Sequence, residues 1–184
     1  IQAIISVLGR RLATPASQPP LRIDLRDVDL RGANFHGLDL SSANLRNADL
    51  RTANFHGANL ENADVRGALL RDADLREARL NGGHLFRADL RLAQLDDAFL
   101  SRADLRMTDL RGARLTGAHL TNADLRQANL SESDLRRAVL ERADLRGAIF
   151  TEAHLNGAYL HQAILEDAYL PPAQLASAIS EAST

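Results

Sequence analysis

The stretch that decides the fold is ADLRMTDLRGARLTGAHLTNADL, residues 103–125, in which Leu stands at every fifth position. The same five-residue spacing runs from Leu25 to Leu170 and places an apolar residue at the centre of thirty consecutive units. Twenty-six of these centres are Leu, and the other four are Phe35, Phe55, Val65 and Phe150. A strict short period indicates one structural element that repeats and stacks on itself. The spacing therefore predicts a solenoid.

Each five-residue unit has an inward and an outward set of positions. The central residue and the small residue two positions before it, nearly always Ala, are expected to face inward. Asp or Asn usually stands before the centre, and Arg is the residue that most often follows it, which is the alternation of a short strand. The remaining position is Gly in nine units, as a bend favours. The inner small position departs from Ala at Ile23, Val28, Leu38, Gly83, Thr108 and Ser133.

The number of sides in one coil follows from the Arg pattern. Arg follows the centre in 13 of the 30 units, and a 20-residue repeat sorts these Arg residues 6, 5, 2 and 0 onto four faces. A 15-residue repeat spreads them more evenly, and the string Asn-Phe-His-Gly at 34–37 recurs at 54–57. Four sides are therefore predicted. Thirty units then make about seven and a half coils, and the rod is roughly 36 Å long at ~4.8 Å between stacked strands.

The repeating unit resembles a known motif. It is similar to the A-[D/N]-[L/F]-x-x unit of the pentapeptide-repeat family, and the similarity covers residues 21–170. The resemblance implies an all-β solenoid, a right-handed, four-sided (quadrilateral) β-helix.

The two ends of the repeat block need covers, because bare coil ends expose strand edges and apolar side chains. Residues 1–12 are spaced as one face of a helix and are expected to cap the first coil, with 13–20 as a linker. Residues 171–184 are expected to form a C-terminal cap or tail, in which Leu175 and Ile179 make a last helical turn. The N-terminal string also resembles the junction in larger bacterial members with upstream membrane-spanning helices. That resemblance implies a cytoplasmic module, membrane-tethered only through upstream sequence.

Composition removes several classes of function. The 22 basic residues are all Arg and are balanced by 24 acidic ones, so the net charge of −2 provides no global field for nucleic acid or an anionic membrane. The absence of Cys excludes disulfides, and no run of the sequence is long and apolar enough to span a bilayer.

The Arg residues form two columns. Face 1 carries Arg26, Arg46, Arg66, Arg106, Arg126 and Arg146, and face 2 carries Arg31, Arg51, Arg71, Arg91 and Arg111. Alone, such columns resemble tracks for phosphate groups. The residue two positions before each Arg is usually acidic, however, so each Arg has a carboxylate within reach. We therefore expect self-paired faces, each pair contributing little stability, rather than a nucleic-acid track.

Other polar clusters carry little chemistry. His36 and His56 are expected to stack one coil apart, about 5 Å, but Arg76 follows them, so no third ligand completes a metal site. No Ser has an evident base and orienting partner, which leaves no candidate nucleophile. The sequence predicts no catalytic residue, no cofactor site and no metal site.

Face 4 departs from the pattern of polar residues at outward positions. The residues before its centres are Asp39, Asn59, Arg79, Phe99, His119, Val139 and Tyr159. Its outward positions are polar up to Arg79 and then become largely apolar, and neighbouring faces add apolar residues near the C-terminal end. Outward apolar clusters often mark a contact surface. The candidate interaction surface consists of Phe99, Val139, Ile149, Tyr159, Ile164 and Tyr169. The alternative is that the C-terminal tail folds back over these residues.

These observations favour the hypothesis of a non-enzymatic scaffold for protein interaction. Its partner is an unknown protein or a second copy of the chain, paired through the C-terminal end. The alternative is a DNA-mimicking inhibitor or protector of DNA gyrase, because family members that protect gyrase from quinolones resemble such a rod. Those proteins rely on a strongly acidic surface, whereas this chain is nearly neutral. No specific binding of nucleic acid is expected. A structural protein of the envelope or of an organelle is not separable from the scaffold by sequence.

Overall fold

The repeat block folds into a parallel β-helix. The computed structural model describes residues 23–178. Parallel bridges join residues twenty positions apart, from Asp24 with Asn44 to Ile149 with Tyr169, and each bridge is one residue long. Two-residue turns separate the bridges and recur every five positions, so four sides make one coil, as the Arg pattern predicts. The predicted helix 1–12 and linker 13–20 lie outside the described residues.

The core is a column of identical side chains. Every central residue from Leu30 to Leu160 is buried, most of them completely, together with nearly all of the inner Ala residues. Successive coils stack their side chains directly, and the Phe35 and Phe55 rings lie parallel with centroids 4.7 Å apart. Each buried Leu contributes on the order of 2 kcal/mol against a chain entropy of similar size. The stability of the rod is therefore a sum of many small terms between neighbouring coils.

Two polar residues occupy inner positions without breaking the core. Thr108 and Ser133 are buried, and their hydroxyls donate to the carbonyl oxygens of Leu105 (2.7 Å) and Leu130 (2.6 Å). Because each hydroxyl is hydrogen-bonded within its own turn, its burial leaves no unsatisfied donor. At the first coil the inner position is less regular, and Val28 is 38% exposed instead of facing the core.

The corners share one backbone conformation, whether or not the residue there is Gly. Each is a four-residue turn such as the one closed by the Ala33 amide donating to Leu30 O (3.0 Å). The third residue of the turn has a positive φ at every corner from Asp27 to Asp167, the arrangement of a type II turn. Gly fills nine of these corners and other residues fill twenty, with φ between 53° and 60°. Gly is thus favoured at the corners but not required.

The C-terminal end closes only in part. Helix α1, Pro172–Ser177, begins with proline as predicted but has no buried residue, and Leu175 is 43% exposed. The Gly157 amide donates to Ser177 O (3.0 Å), and Ala178 packs against the core. Leu175 thus faces solvent in the described part of the tail, and Ile179 lies outside the described residues, so the capping role of 171–184 stays a prediction. Between residues 23 and 178 no helix has the length and apolarity needed to cross a membrane.

Candidate interaction surface

Faces 1 and 2 are lined by two-residue ion pairs. In the unit around Val65, Arg66 donates through Nε to Asp64 Oδ1 (2.7 Å) and through Nη2 to Oδ2 (2.6 Å). The Arg66 amide also donates to Asp64 Oδ1 (3.4 Å), so one carboxylate holds both the side chain and the backbone of the same Arg. The spacing of two places both side chains on the same outer side of a short strand. The same bidentate arrangement recurs at Asp29–Arg31, Asp49–Arg51, Asp89–Arg91, Asp104–Arg106, Asp109–Arg111, Asp124–Arg126 and Asp144–Arg146.

These pairs keep the carboxylates charged. The side-chain hydrogen bond from Arg31 lowers the pKa of Asp29 to about 2. The corresponding Arg hydrogen bond lowers the pKa of Asp64, Asp89 and Asp144, against the opposing effect of burial. Hydrogen bonding to the charged form favours that form. Both faces are therefore arrays of ionised but neutralised pairs at neutral pH.

Contacts between coils continue the neutralisation. Arg106 Nε lies 3.6 Å from Asp124 Oδ2, and Arg126 Nε lies 3.6 Å from Asp144 Oδ2 in the next coil. Each of these guanidinium groups thus has one carboxylate beside it and a second one coil further on. The expectation of self-paired Arg columns is confirmed, and few cations on faces 1 and 2 are left for phosphate groups.

The paired histidines stack as predicted. The rings of His36 and His56 lie 5.3 Å apart with an angle of 15° between their planes. A ring nitrogen binds a metal ion in the plane of its ring, and two stacked, nearly parallel rings have no shared point in both planes between them. Within residues 23–178 no group of three or more His, Cys, Asp or Glu side chains is arranged to hold a metal ion.

Face 4 presents a continuous column that turns apolar. Phe99 bridges to His119, and their rings stack at 5.0 Å with an angle of 2°. Val139 follows His119 and bridges to Tyr159 in the next coil. Phe99 is 40% exposed and Tyr159 39%, while Val139 is half-buried between its neighbours. Three of the six candidate residues therefore belong to one face.

The other three candidates lie elsewhere around the rod. Ile164 continues face 1 after Asp144, and Ile149 and Tyr169 belong to face 2. Because the coil has four sides, face 2 is opposite face 4, and only Ile164 lies on a neighbouring face. Tyr159, Ile164 and Tyr169 occupy three consecutive sides of the last coil and form a rim around its end. We call these three residues the C-terminal rim.

The described part of the tail does not cover this rim. Helix α1 leans against the one remaining side of the last coil, opposite face 1, where Ser177 O accepts from the amide of Gly157. Ile164 remains 46% exposed and Tyr169 60% exposed. Beside the rim, Leu165 and Leu170 are only half-buried, unlike the central residues further from the end. Between residues 171 and 178, then, the chain leaves three sides of the last coil open.

Some exposed apolar residues escape the sequence argument. Leu92 and Met107 lie at corners and are 47% and 41% exposed, and Leu69 on face 2 is 38% exposed. Phe86 stands in the Arg column of face 1, with the Arg87 and Arg106 guanidinium groups 5.1 and 5.4 Å from the centre of its ring. A test of every outward and corner position for apolar residues would have found all four. Phe86 and Met107 line one surface groove, and Leu69 and Leu92 are not part of it. Single exposed apolar residues are common on protein surfaces.

The repeat is also matched by a family model. The model for pentapeptide repeats (8 copies) matches residues 22–57, 53–91, 93–132 and 128–167. This chain belongs to the pentapeptide repeat family. No curated protein matches it by sequence.

The chain is also similar to solved structures of pentapeptide repeat proteins, and one of them shares its fold at a TM-score above 0.5. A trypsin-treated variant of QnrB1, a plasmid-mediated fluoroquinolone resistance protein, is 18% identical, with a TM-score of 0.57 over 85% of this chain and 77% of that one. HetL, involved in the regulation of heterocyst differentiation in the cyanobacterium Nostoc, is 28% identical over 88% of this chain and 92% of its own, with a TM-score of 0.28. A protein of the Arabidopsis thaliana thylakoid lumen is 34% identical over 61% of this chain and 71% of its own, with a TM-score of 0.32. Family and fold together make this solenoid a right-handed β-helix.

Two open surface grooves lie on the described part of this pentapeptide repeat protein. One of about 690 Å³ lies between helix α1 and the last coil and is lined by polar residues that include Glu132, Glu152 and His154. Another, of about 430 Å³, follows the corner beside Arg106, Arg126 and Arg146, whose guanidinium groups are already paired. The first groove also contains Ser177, but its hydroxyl donates to Gln174 O (2.7 Å) rather than to His154 or a Glu carboxylate. No Ser, Thr or His lines the second groove. The feature that stands out from the repeat is the C-terminal rim.

Proposed function

We propose that this protein is a non-enzymatic interaction scaffold whose contact surface is the C-terminal rim, and that a second copy of the chain is its partner there. One observation carries the proposal: Tyr159, Ile164 and Tyr169 are 39 to 60% exposed on consecutive sides of the last coil. On the rest of the rod most outward positions hold polar or self-paired charged residues. A rigid rod with one adhesive end suits a protein that holds partners at a fixed distance.

A two-fold arrangement fits this end better than a head-to-tail one. Pairing through identical ends closes the assembly at two copies and buries both rims together. It would also bury the half-exposed central residues Leu165 and Leu170. Tyr and other large side chains are the residues that contribute most at such interfaces. As part of the same proposal we assign the scaffold to the cytoplasm, which cell fractionation tests.

Light scattering tests the pairing. The intact chain is expected to be a dimer at tens of micromolar, and Tyr159→Arg/Tyr169→Arg is expected to be a monomer because two charges enter each rim. The matched control is Leu69→Arg/Leu92→Arg, which makes the same chemical change at exposed residues away from the end and is expected to remain a dimer. A monomeric intact chain would rule out self-association and leave the rim to another protein. Loss of the dimer in the control would move the interface away from the end.

The gyrase-inhibitor alternative is less well supported. The resemblance to QnrB1 is one of fold at 18% identity, and DNA mimicry needs unpaired acidic groups in rows. Here Arg91 and Arg111 neutralise Asp89 and Asp109 in consecutive coils. A supercoiling assay separates the two functions, because the scaffold leaves gyrase uninhibited at low micromolar concentration.

A further inference from the structure

The sequence contains Asn-Gly twice, at Asn81-Gly82 and at Asn156-Gly157. Both pairs occupy the two central positions of a corner, and both glycines have a positive φ, of 65° and 69°. Asn followed by Gly is the dipeptide most prone to intramolecular attack on the Asn side chain, because Gly has no side chain to hinder the approach. The two sites share local sequence and turn geometry and differ in what holds them.

Asn81 is locked between two coils. Its Oδ1 accepts from the Ser101 amide (3.0 Å), and its Nδ2 donates to Glu61 Oε1 (3.4 Å). The amide of Gly82 donates to Ser101 O (3.0 Å). Both the attacking nitrogen and the attacked side chain are thus fixed by coils on either side, and freeing them requires the middle of the rod to open.

Asn156 lies in the last coil and is exposed. Within residues 23–178 its side chain makes no hydrogen bond, and the groove beneath helix α1 lies beside it. The amide of Gly157 is held by Ser177 O of the tail (3.0 Å) instead of by another coil. The preceding coil holds the carbonyl of Asn156 through the Arg137 amide (3.1 Å), but the tail is what holds the attacking Gly157 nitrogen. Local opening requires least free energy where contacts are few, and the tail makes few contacts with the last coil.

We propose that Asn156-Gly157 is a self-modifying site, which deamidates when the C-terminal tail lifts. The Gly157 nitrogen gives up its proton and bonds to Cγ of Asn156, the Cγ–Nδ2 bond breaks, and ammonia leaves. One water molecule then opens the five-membered succinimide ring at either carbonyl. The products are aspartate and isoaspartate at this position, and the only co-reactant is water.

The modification alters the end of the rod. Either product adds a negative charge to a turn that lies near Glu132 and Glu152 in the same groove. Isoaspartate also routes the main chain through the former side chain, which lengthens the turn by one atom. That geometry is incompatible with the hydrogen bonds of the Arg137 amide to Asn156 O (3.1 Å) and of the Gly157 amide to Ser177 O. The reaction therefore releases the tail that restrained it.

Peptide mapping by mass spectrometry tests the site with an internal control. Trypsin cleaves after Arg and so separates Asn81, in residues 80–87, from Asn156, in residues 147–184. During incubation of the intact protein at mildly alkaline pH, conversion to the acid is expected to be at least about tenfold faster at Asn156 than at Asn81. The reason is that segments with few contacts open far more often than the core, and Asn81 is held by coils on both sides. Equal rates at the two sites, or faster conversion at Asn81, would overturn the proposal.

A pair of tail variants tests the restraint itself. Ala178→Asp places a charge where the tail packs on the core and is expected to accelerate conversion at Asn156 but not at Asn81. Ala176→Asp adds the same charge at an exposed position of helix α1 and is expected to leave both rates unchanged. Equal acceleration by the two variants, or none by Ala178→Asp, would refute control by the tail.

Discussion

At the scale of the residue, position within the five-residue unit decides what a side chain does. Leu105 is 1% exposed, while its neighbour Arg106 reaches outward and binds Asp104 and Asp124. One step along the chain thus separates a completely buried position from a solvated one. The inside and outside assignments therefore predict opposite responses for adjacent residues.

Substitutions at these two neighbours test that assignment. Leu105→Arg buries an unpaired charge between coils and is expected to cost several kcal/mol of unfolding free energy, on the order of 3 to 5. Arg106→Ala removes one exposed pair and is expected to cost less than about 1 kcal/mol. Urea unfolding followed by circular dichroism measures both. Similar losses in the two variants would contradict the inside and outside assignment.

The corners give a second test at this scale. Gly37 has a positive φ and open space around the position of a Cβ atom, so Gly37→Ala is expected to cost only the left-handed conformation, about 1 kcal/mol. At Gly67 the added Cβ would lie 2.6 Å from Asn47 Oδ1, and Asn47 is itself bonded to Asp27. Gly67→Ala is therefore expected to lower the thermal midpoint further than Gly37→Ala does. The reverse order would mean that contacts between corners matter less than backbone strain.

At the scale of the element, backbone bridges hold successive coils together, and stacked Asp–Arg pairs line faces 1 and 2. We call each stack of pairs a ladder. The ladders on faces 1 and 2 add little stability per pair, since their Arg side chains are largely exposed. They matter because stacking places like charges about one strand spacing apart, and alternation of Asp with Arg relieves the repulsion. The acid response of the protein should therefore report on these ladders.

The pH dependence has a definite sign. Asp29 has a pKa of about 2 in the folded protein against 3.8 for the free side chain, and Asp49 and Asp64 are also lowered by their Arg partners. A lowered pKa means that the unfolded chain binds protons first. The contribution of these Asp residues to stability is therefore fully present above about pH 5 and is lost as the pH falls through 3.8 toward 2. Urea midpoints across this range measure the fall. Asp49→Asn, which removes one titrating group, is expected to flatten it, and an unchanged slope would contradict the role of the ladder.

Much at this scale is predictable from sequence because each unit repeats the information. The inward Leu column, the twenty-residue coil and the Asp–Arg pairs all follow from spacing alone. The C-terminal end is different, because it is specified once: the sequence suggests a helix after Pro171, but not that Leu175 faces solvent while Gly157 binds Ser177. The sequence identifies the six candidate residues by their apolar character alone. Whether these residues lie on the same face or on opposite faces depends on which of the four sides of the coil each residue occupies.

At the scale of the whole molecule, residues 23–178 form a rod whose charged faces are neutralised by ion pairs and whose C-terminal rim is apolar. In this described part of the chain, Arg and acidic residues are not segregated into separate patches but alternate along the same faces. A duplex is bound through rows of free cations, and a protein that imitates a duplex needs rows of free anions. Neither row is available on faces 1 and 2.

Pairing with Asp is expected to be the reason that the Arg residues of face 1 do not bind duplex DNA. The intact protein is expected not to bind duplex DNA at physiological salt, as measured by fluorescence anisotropy. Asp104→Asn/Asp124→Asn/Asp144→Asn removes the partners of Arg106, Arg126 and Arg146 and leaves three stacked guanidinium groups free on face 1. This variant is expected to bind duplex weakly, with an affinity that falls with salt at a log–log slope of about −0.9 for each phosphate neutralised. The corresponding Arg106→Gln/Arg126→Gln/Arg146→Gln variant keeps the carboxylates and should not bind. Tight binding by the intact chain would show that the pairs open readily and that the Arg columns are tracks for phosphate after all.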